Sequence, residues 1–155
     1  MRVLILYETR RGSTLTVARA IRDATRDRGH AATTAPIRAV DVGTVAAADA
    51  VVVGTWTQGR FLKVRPGAGV LEGITELPSL DGRPAAVFCT YRGSPRRTLD
   101  VLTSRLQRKG ARVVAAHPFK RRKGLVQVPA YVDLVVAEFE ALLGAPGASP
   151  APTGA

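Results

Sequence analysis

The stretch Arg2-Val3-Leu4-Ile5-Leu6-Tyr7, running on into Glu8-Thr9-Arg10-Arg11-Gly12-Ser13-Thr14, decides the fold. Its first half is a near-continuous apolar run, the pattern of a strand buried on both faces rather than one. Its second half is a short polar loop that opens directly into a helical period, with Val17, Ile21 and Ala24 at i, i+4 and i+7 and Gly29 as the stop. A buried strand, a glycine-containing turn and an amphipathic helix begin a strand–helix–strand unit. A parallel sheet with helices on both faces is therefore expected.

The alternation continues along the chain. His30 to Ile37 reads as a second, weakly marked strand because Ala and Thr dominate it, and Asp41 to Ala48 as a short helix. A third strand, Ala50 to Gly54, ends in Thr55-Trp56-Thr57-Gln58-Gly59-Arg60, and Val70, Leu71, Ile74 and Leu77 mark a helix face that Pro78 helps to end. Pro84 to Thr90 is a fourth strand leading into Tyr91-Arg92-Gly93. Ser94-Pro95 then reads as an N-cap and first-turn pair for a helix striped by Leu99, Leu102 and Leu106. Arg112 to His117 is a fifth strand; Pro129 opens a last helix on which Val132, Val135, Val136, Phe139 and Leu143 share a face. From Ala145 the chain is Ala, Pro, Gly, Ser and Thr without periodicity. The expected organisation is one domain over 1–144 and a disordered tail over 145–155. Five such alternations fit an open, doubly wound, five-stranded parallel sheet of order 2-1-3-4-5.

Bulk properties narrow the function classes. At 155 residues one substantial core is available, and the apolar runs, each about four residues long, fall far short of the ~20 needed to span a bilayer. No signal-like stretch opens the sequence, so a cytoplasmic protein without membrane insertion is expected. Cys89 is the only cysteine, which excludes an internal disulfide, and its apolar neighbours mark it as a buried strand residue. The net charge of +11 is regional: residues 92 to 123 hold eleven basic side chains against Asp100 alone. The Lys120-Arg121-Arg122-Lys123 run has poor aromatic interleaving and no nucleic-acid motif, so a solvated loop or an acidic protein partner is expected rather than nucleic acid. His30 and His117 have no carboxylate, serine or cysteine at catalytic spacing, and no metal-ligand cluster is present.

In a doubly wound sheet, ligands bind at the carboxyl ends of the strands. The first such end, Thr9 to Thr14, reads as an anion site. Gly12 permits close backbone approach, Thr9, Ser13 and Thr14 offer hydroxyls, the helix N-terminus offers free N–H groups, and Arg10 and Arg11 add attraction. The other two ends carry Trp56 and Tyr91, aromatics able to flank a planar heteroaromatic ring.

Tyr7-Glu8-Thr9-Arg10-Arg11-Gly12-Ser13-Thr14 resembles the flavodoxin phosphate loop, written Thr/Ser-x-Thr-Gly-x-Thr, with Thr9, Arg11, Gly12 and Thr14 at its specified positions. Gly54-Thr55-Trp56-Thr57-Gln58-Gly59 is similar to that family's second flavin loop and Thr90-Tyr91-Arg92-Gly93 to its third. The resemblance covers residues 1–144 and matches the short-chain type. It implies a flavodoxin-like fold, FMN as cofactor, phosphate contacts at Thr9, Gly12, Ser13 and Thr14, and ring contacts at Trp56 and Tyr91. It further implies electron transfer between a reductase and an acceptor by a monomer or weak dimer.

Two departures stand out. Arg11 replaces a hydroxyl residue of the loop, and the typically acidic flavin surroundings of the family give way here to Arg60, Lys63, Arg65, Arg92, Arg96 and Arg97. Positive charge near the ring stabilises an anionic reduced flavin, so a less reducing cofactor is expected. Two alternatives stay open beside the electron carrier. One is an FMN-dependent NAD(P)H or quinone-type oxidoreductase; the other is a flavin-free module that uses its basic face for binding.

Overall fold

The computed structural model describes residues 1–59 and 63–144; Arg60 and the tail expected over 145–155 lie outside the described residues. Strand β1 (Arg2–Tyr7) runs parallel between β2 (Ala31–Pro36) and β3 (Ala50–Gln58), and β3 continues to β5 (Pro84–Tyr91) and β6 (Arg112–Lys120). The five parallel strands thus follow the expected 2-1-3-4-5 pattern. Between them run α1 (Ser13–Asp27), α2 (Val42–Ala47), α3 (Ala68–Glu76), α4 (Arg96–Arg108) and α5 (Val128–Leu143).

Side-chain alternation along the strands divides the core in two. Val3, Ile5, Val52 and Phe88 face α1 and α5 and meet Val17, Ile21, Val132 and Phe139. Leu4, Leu6, Val51, Val53 and Val87 face the other way, toward Val45 of α2, Val70 and Ile74 of α3, and Leu99, Leu102 and Leu106 of α4. The continuous apolar runs of β1, β3 and β5 follow from this arrangement, because every residue along such a strand lands in one core or the other.

The structure corrects several boundaries. A sixth, two-residue strand β4 (Arg65–Pro66) was not expected; it pairs antiparallel with Thr57 and Gln58, so Thr55 to Gln58 extend β3 rather than form a loop. Gly59, at φ 97°, makes the turn, and a Cβ there would overlap the Lys63 carbonyl. Extended β-branched and aromatic residues in Thr-Trp-Thr favour this continuation. Ser94 is not the cap of α4: Pro95 occupies that position and no side chain caps the helix. β6 runs past His117 to Lys120, drawn on by its pairing with Tyr91. His117 therefore lies inside the strand, with Nε2 3.1 Å from Gln127 Oε1 and its ring against Phe119 and Tyr131.

Two polar groups inside the fold are fully used. Arg83, 7% exposed, donates to the Leu80, Val45, Ala48 and Ser79 carbonyls and so ties the end of α2 to the start of β5. The Tyr131 hydroxyl donates to the Val87 carbonyl (3.1 Å), and burial pushes its phenol up. No helix among the described residues is long and apolar enough to cross a membrane.

Gly54 is the tightest point of the sheet, since a Cβ there would fall within the Phe88 ring on β5. Gly54→Ala is expected to destabilise the protein by about 1–3 kcal/mol through overpacking. That should appear in thermal unfolding as a Tm loss of about 2–4 °C per kcal/mol, with part of the loss recovered by Phe88→Leu.

Candidate functional site

The carboxyl ends of β1, β3 and β5 lie side by side and enclose a cleft of about 700 Å³, within the ~300–1,000 Å³ usual for cofactor sites. It is lined by Thr9, Arg10, Arg11, Ser13 and Thr14 from the first segment, Trp56, Thr57, Gln58, Gly59 and Val64 from the second, and Thr90, Tyr91, Arg92, Gly93 and Ser94 from the third, with Arg121 beside them. All the expected site residues except Gly12 and Thr55 therefore line one cleft. Val64, Ser94 and Arg121 were not anticipated at the site; Arg121 was read only as part of the basic run 120–123, because it follows the first loop by more than a hundred residues.

The first segment is shaped by Gly12, whose φ of 92° only glycine adopts without strain. Its N–H donates to Thr9 Oγ1 (3.0 Å), and its carbonyl accepts from the N–H (2.9 Å) and hydroxyl (3.0 Å) of Thr16. With glycine as N-cap, α1 has no side-chain cap, and helix geometry leaves its first-turn N–H groups without intrahelical acceptors. That is the arrangement of a helix N-terminus that receives an anion. Arg121 Nε donates to Ser13 Oγ at 3.2 Å, bringing a guanidinium to the same place. Desolvation, followed by the nearby Arg92, Arg11 and Arg122, lowers the pKa of Arg121.

Hydrogen bonds lock the three segments together. Thr14 Oγ1 and Thr90 Oγ1 meet at 2.9 Å, both buried, so the Thr14 hydroxyl joins the first segment to the third. Glu8 joins the first to the second. Its carboxylate accepts from Gly69 N–H and Val70 N–H (2.8 Å each) at the start of α3 and from the Thr55 hydroxyl (3.2 Å), which explains why Thr55 turns away from the cleft. Negative charge at a helix N-terminus is favourable. Glu8 was missed by sequence reasoning because its partners lie about sixty residues away.

Two aromatic side chains also line the cleft. Trp56 and Tyr91 are both partly exposed at its wall, and the Arg10 guanidinium carbon lies 5.5 Å from the centre of the Trp56 ring. The Thr57 hydroxyl oxygen is shielded from solvent and lies against the Cys89 thiol. Cys89 sits next to it, fully buried, and burial pushes its thiol up to about 12. No cluster of His, Cys, Asp or Glu that could hold a metal ion occurs among the described residues. His30 lies elsewhere, 3.0 Å from Glu140.

No family model matches the sequence, and no curated protein does. Solved structures do resemble it. A flavodoxin from the domain Archaea superposes with a TM-score of 0.75 at 16% identity, covering 90% of this chain and 99% of that one. The two-electron reduced flavodoxin of Megasphaera elsdenii gives 0.70 at 22% identity, covering 84% and 98%. Rubredoxin oxygen:oxidoreductase from Desulfovibrio gigas gives 0.73 at 22% identity over 93% of this chain and 37% of that one. The chain has a flavodoxin-like fold.

Two measurements check the local physics. Glu8→Ala, which removes the acceptor of two α3 N–H groups, is expected to cost about 1–2 kcal/mol in denaturant unfolding. Glu8→Gln should recover only part of that loss. Cys89 should be silent toward Ellman's reagent at pH 8 in the folded protein and react as one thiol per chain in guanidinium. Because its folded pKa lies above its unfolded one, stability is whole below about pH 9 and declines as pH rises from there toward 12.

Proposed function

We propose that this protein binds FMN noncovalently in the cleft and carries electrons between protein partners. One observation carries the reading: an uncapped helix N-terminus flanked by arginines and a pair of aromatic side chains share a single cleft. A phosphate monoester, with roughly −1.5 to −2 charge, suits the first; a planar conjugated ring suits the second. The flavodoxin-like fold agrees with it.

In this reading Thr9, Ser13 and the first-turn N–H groups of α1 would hold the phosphate, Gly12 would shape the turn that presents them, and Arg11 and Arg121 would neutralise it. Trp56 and Tyr91 would hold the ring, with Arg10 beside the indole. When bound, FMN would supply the redox chemistry. The protein's part is to exclude water from one side of the ring and to set its electrostatics. Arg11, Arg92 and Arg121 favour added negative charge in the cleft, which raises the reduction potential relative to an acidic pocket. The acceptor of the electrons is expected to be a protein with an acidic docking face, matching the basic rim.

The purified full-length chain should show flavin bands in its visible spectrum, or acquire them with quenched fluorescence when FMN is added. FMN should bind at least about a hundredfold more tightly than riboflavin, and Arg121→Ala should narrow that ratio while Trp56→Ala weakens both ligands by about tenfold. Potentiometric titration should give a two-electron midpoint above that of an acidic flavodoxin. Absence of any flavin binding would overturn the reading, and turnover of NAD(P)H and a quinone without an added reductase would make the protein an oxidoreductase instead of a carrier.

A further inference from the structure

Beside the cleft, and sharing Tyr91, Arg92 and Arg121 with it, lies a shallower recess of about 320 Å³ completed by Lys120 and Arg122. Its wall is one aromatic and four cations, with no carboxylate. None of these cations forms an ion pair among the described residues. A single phosphate monoester at the helix N-terminus is already matched by Arg11 and Arg121. Arg92, Lys120 and Arg122 are then left as like charges gathered in one shallow hollow, where an anion would be attracted to all three.

The hollow is built on ordered backbone. Lys120 pairs with Tyr91 across β5 and β6, and Arg121 N–H donates to the Tyr91 carbonyl at 3.0 Å. The next residue, Arg122, sits at φ 72°, a left-handed conformation that an arginine holds only under local strain. Such strain is concentrated where ligands are held. Arg121 links the two hollows, since its Nε reaches Ser13 in the first loop while its backbone belongs to the turn that forms the second.

We propose that this recess is a second phosphate site, which takes a phosphate group lying next to the one at the α1 N-terminus. Guanidinium groups beside an ammonium suit a phosphate oxygen array, and the partial exposure of Tyr91 leaves a surface for whatever the phosphate is attached to. The group has two chemical sources: the second phosphate of a flavin dinucleotide, or the phosphate of a separate ligand that binds alongside FMN. The proposal rests on the cleft being a flavin site only for its biological use; the recess itself is testable without flavin.

Isothermal titration of the full-length chain distinguishes the cases, using FMN, FAD and sodium pyrophosphate as probes. Pyrophosphate is titrated into the flavin-free and the FMN-saturated protein, for the wild type and for Arg122→Gly. Glycine adopts the left-handed turn freely, so that variant loses the cation and keeps the fold. The expected result is salt-sensitive pyrophosphate binding that Arg122→Gly weakens at least about tenfold, with FMN affinity changed less than about threefold. If FAD binds about tenfold or more tighter than FMN, and Arg122→Gly removes the difference, the second phosphate belongs to the cofactor. If FAD is no tighter but FMN-saturated protein still takes pyrophosphate, it belongs to a separate ligand. Pyrophosphate binding that is absent, or indifferent to Arg122→Gly, overturns the proposal. Failure of FMN to bind overturns the proposed function alone, because the flavin-free titration still decides the recess.

Discussion

β1, β3 and β5 bury both faces, and the rest of the architecture follows from the need to cover them. A parallel strand cannot return by a tight hairpin, so each crossover must carry a helix over the sheet. α1 and α5 take one face while α2, α3 and α4 take the other. The change of side happens between β1, whose chain leaves toward β2, and β3, whose chain leaves toward β5. At that reversal the two departing segments diverge and a cleft opens between them. Its location is a by-product of covering the sheet, and the residues lining it are what give it chemistry.

How much of this could be read from the sequence depends on the range of the interaction involved. Apolar runs in β1, β3 and β5 and the stripes of α1, α4 and α5 report burial directly, and they yielded the element order and the sheet pattern. The three segments that converge on the cleft were visible because each follows a strand. Invisible were the features whose partners are remote: Glu8 reaching α3, Thr14 meeting Thr90, Arg121 reaching Ser13, and Arg83 serving four carbonyls. The hairpin strand β4 was missed for a related reason. Arg65-Pro66 has no strand propensity of its own and is extended because Thr57 and Gln58 pair with it.

Charge illustrates the difference between composition and placement. Of the +11 net charge, the Arg83 contribution is interior, its guanidinium bonded to carbonyls and out of a partner's direct reach. Arg28 and Arg38 are paired with Asp133 and Glu72. The arginines at the cleft and its neighbouring recess are not offset in this way, and the electrostatic character of the protein is concentrated there.

The two-layer core also bears on how the chain is made. α5, the latest of the described helices to be synthesised, packs on the same face as α1 and brings Tyr131, Val132, Val135 and Phe139 to Phe88 and Phe119. A nascent chain that has emerged only as far as β6 has its α2–α3–α4 side complete, but on the other side only α1 is present to cover Phe88 and Phe119. Such a half-covered sheet is the species most prone to association during translation, and its lifetime is set by the time the ribosome takes to deliver α5.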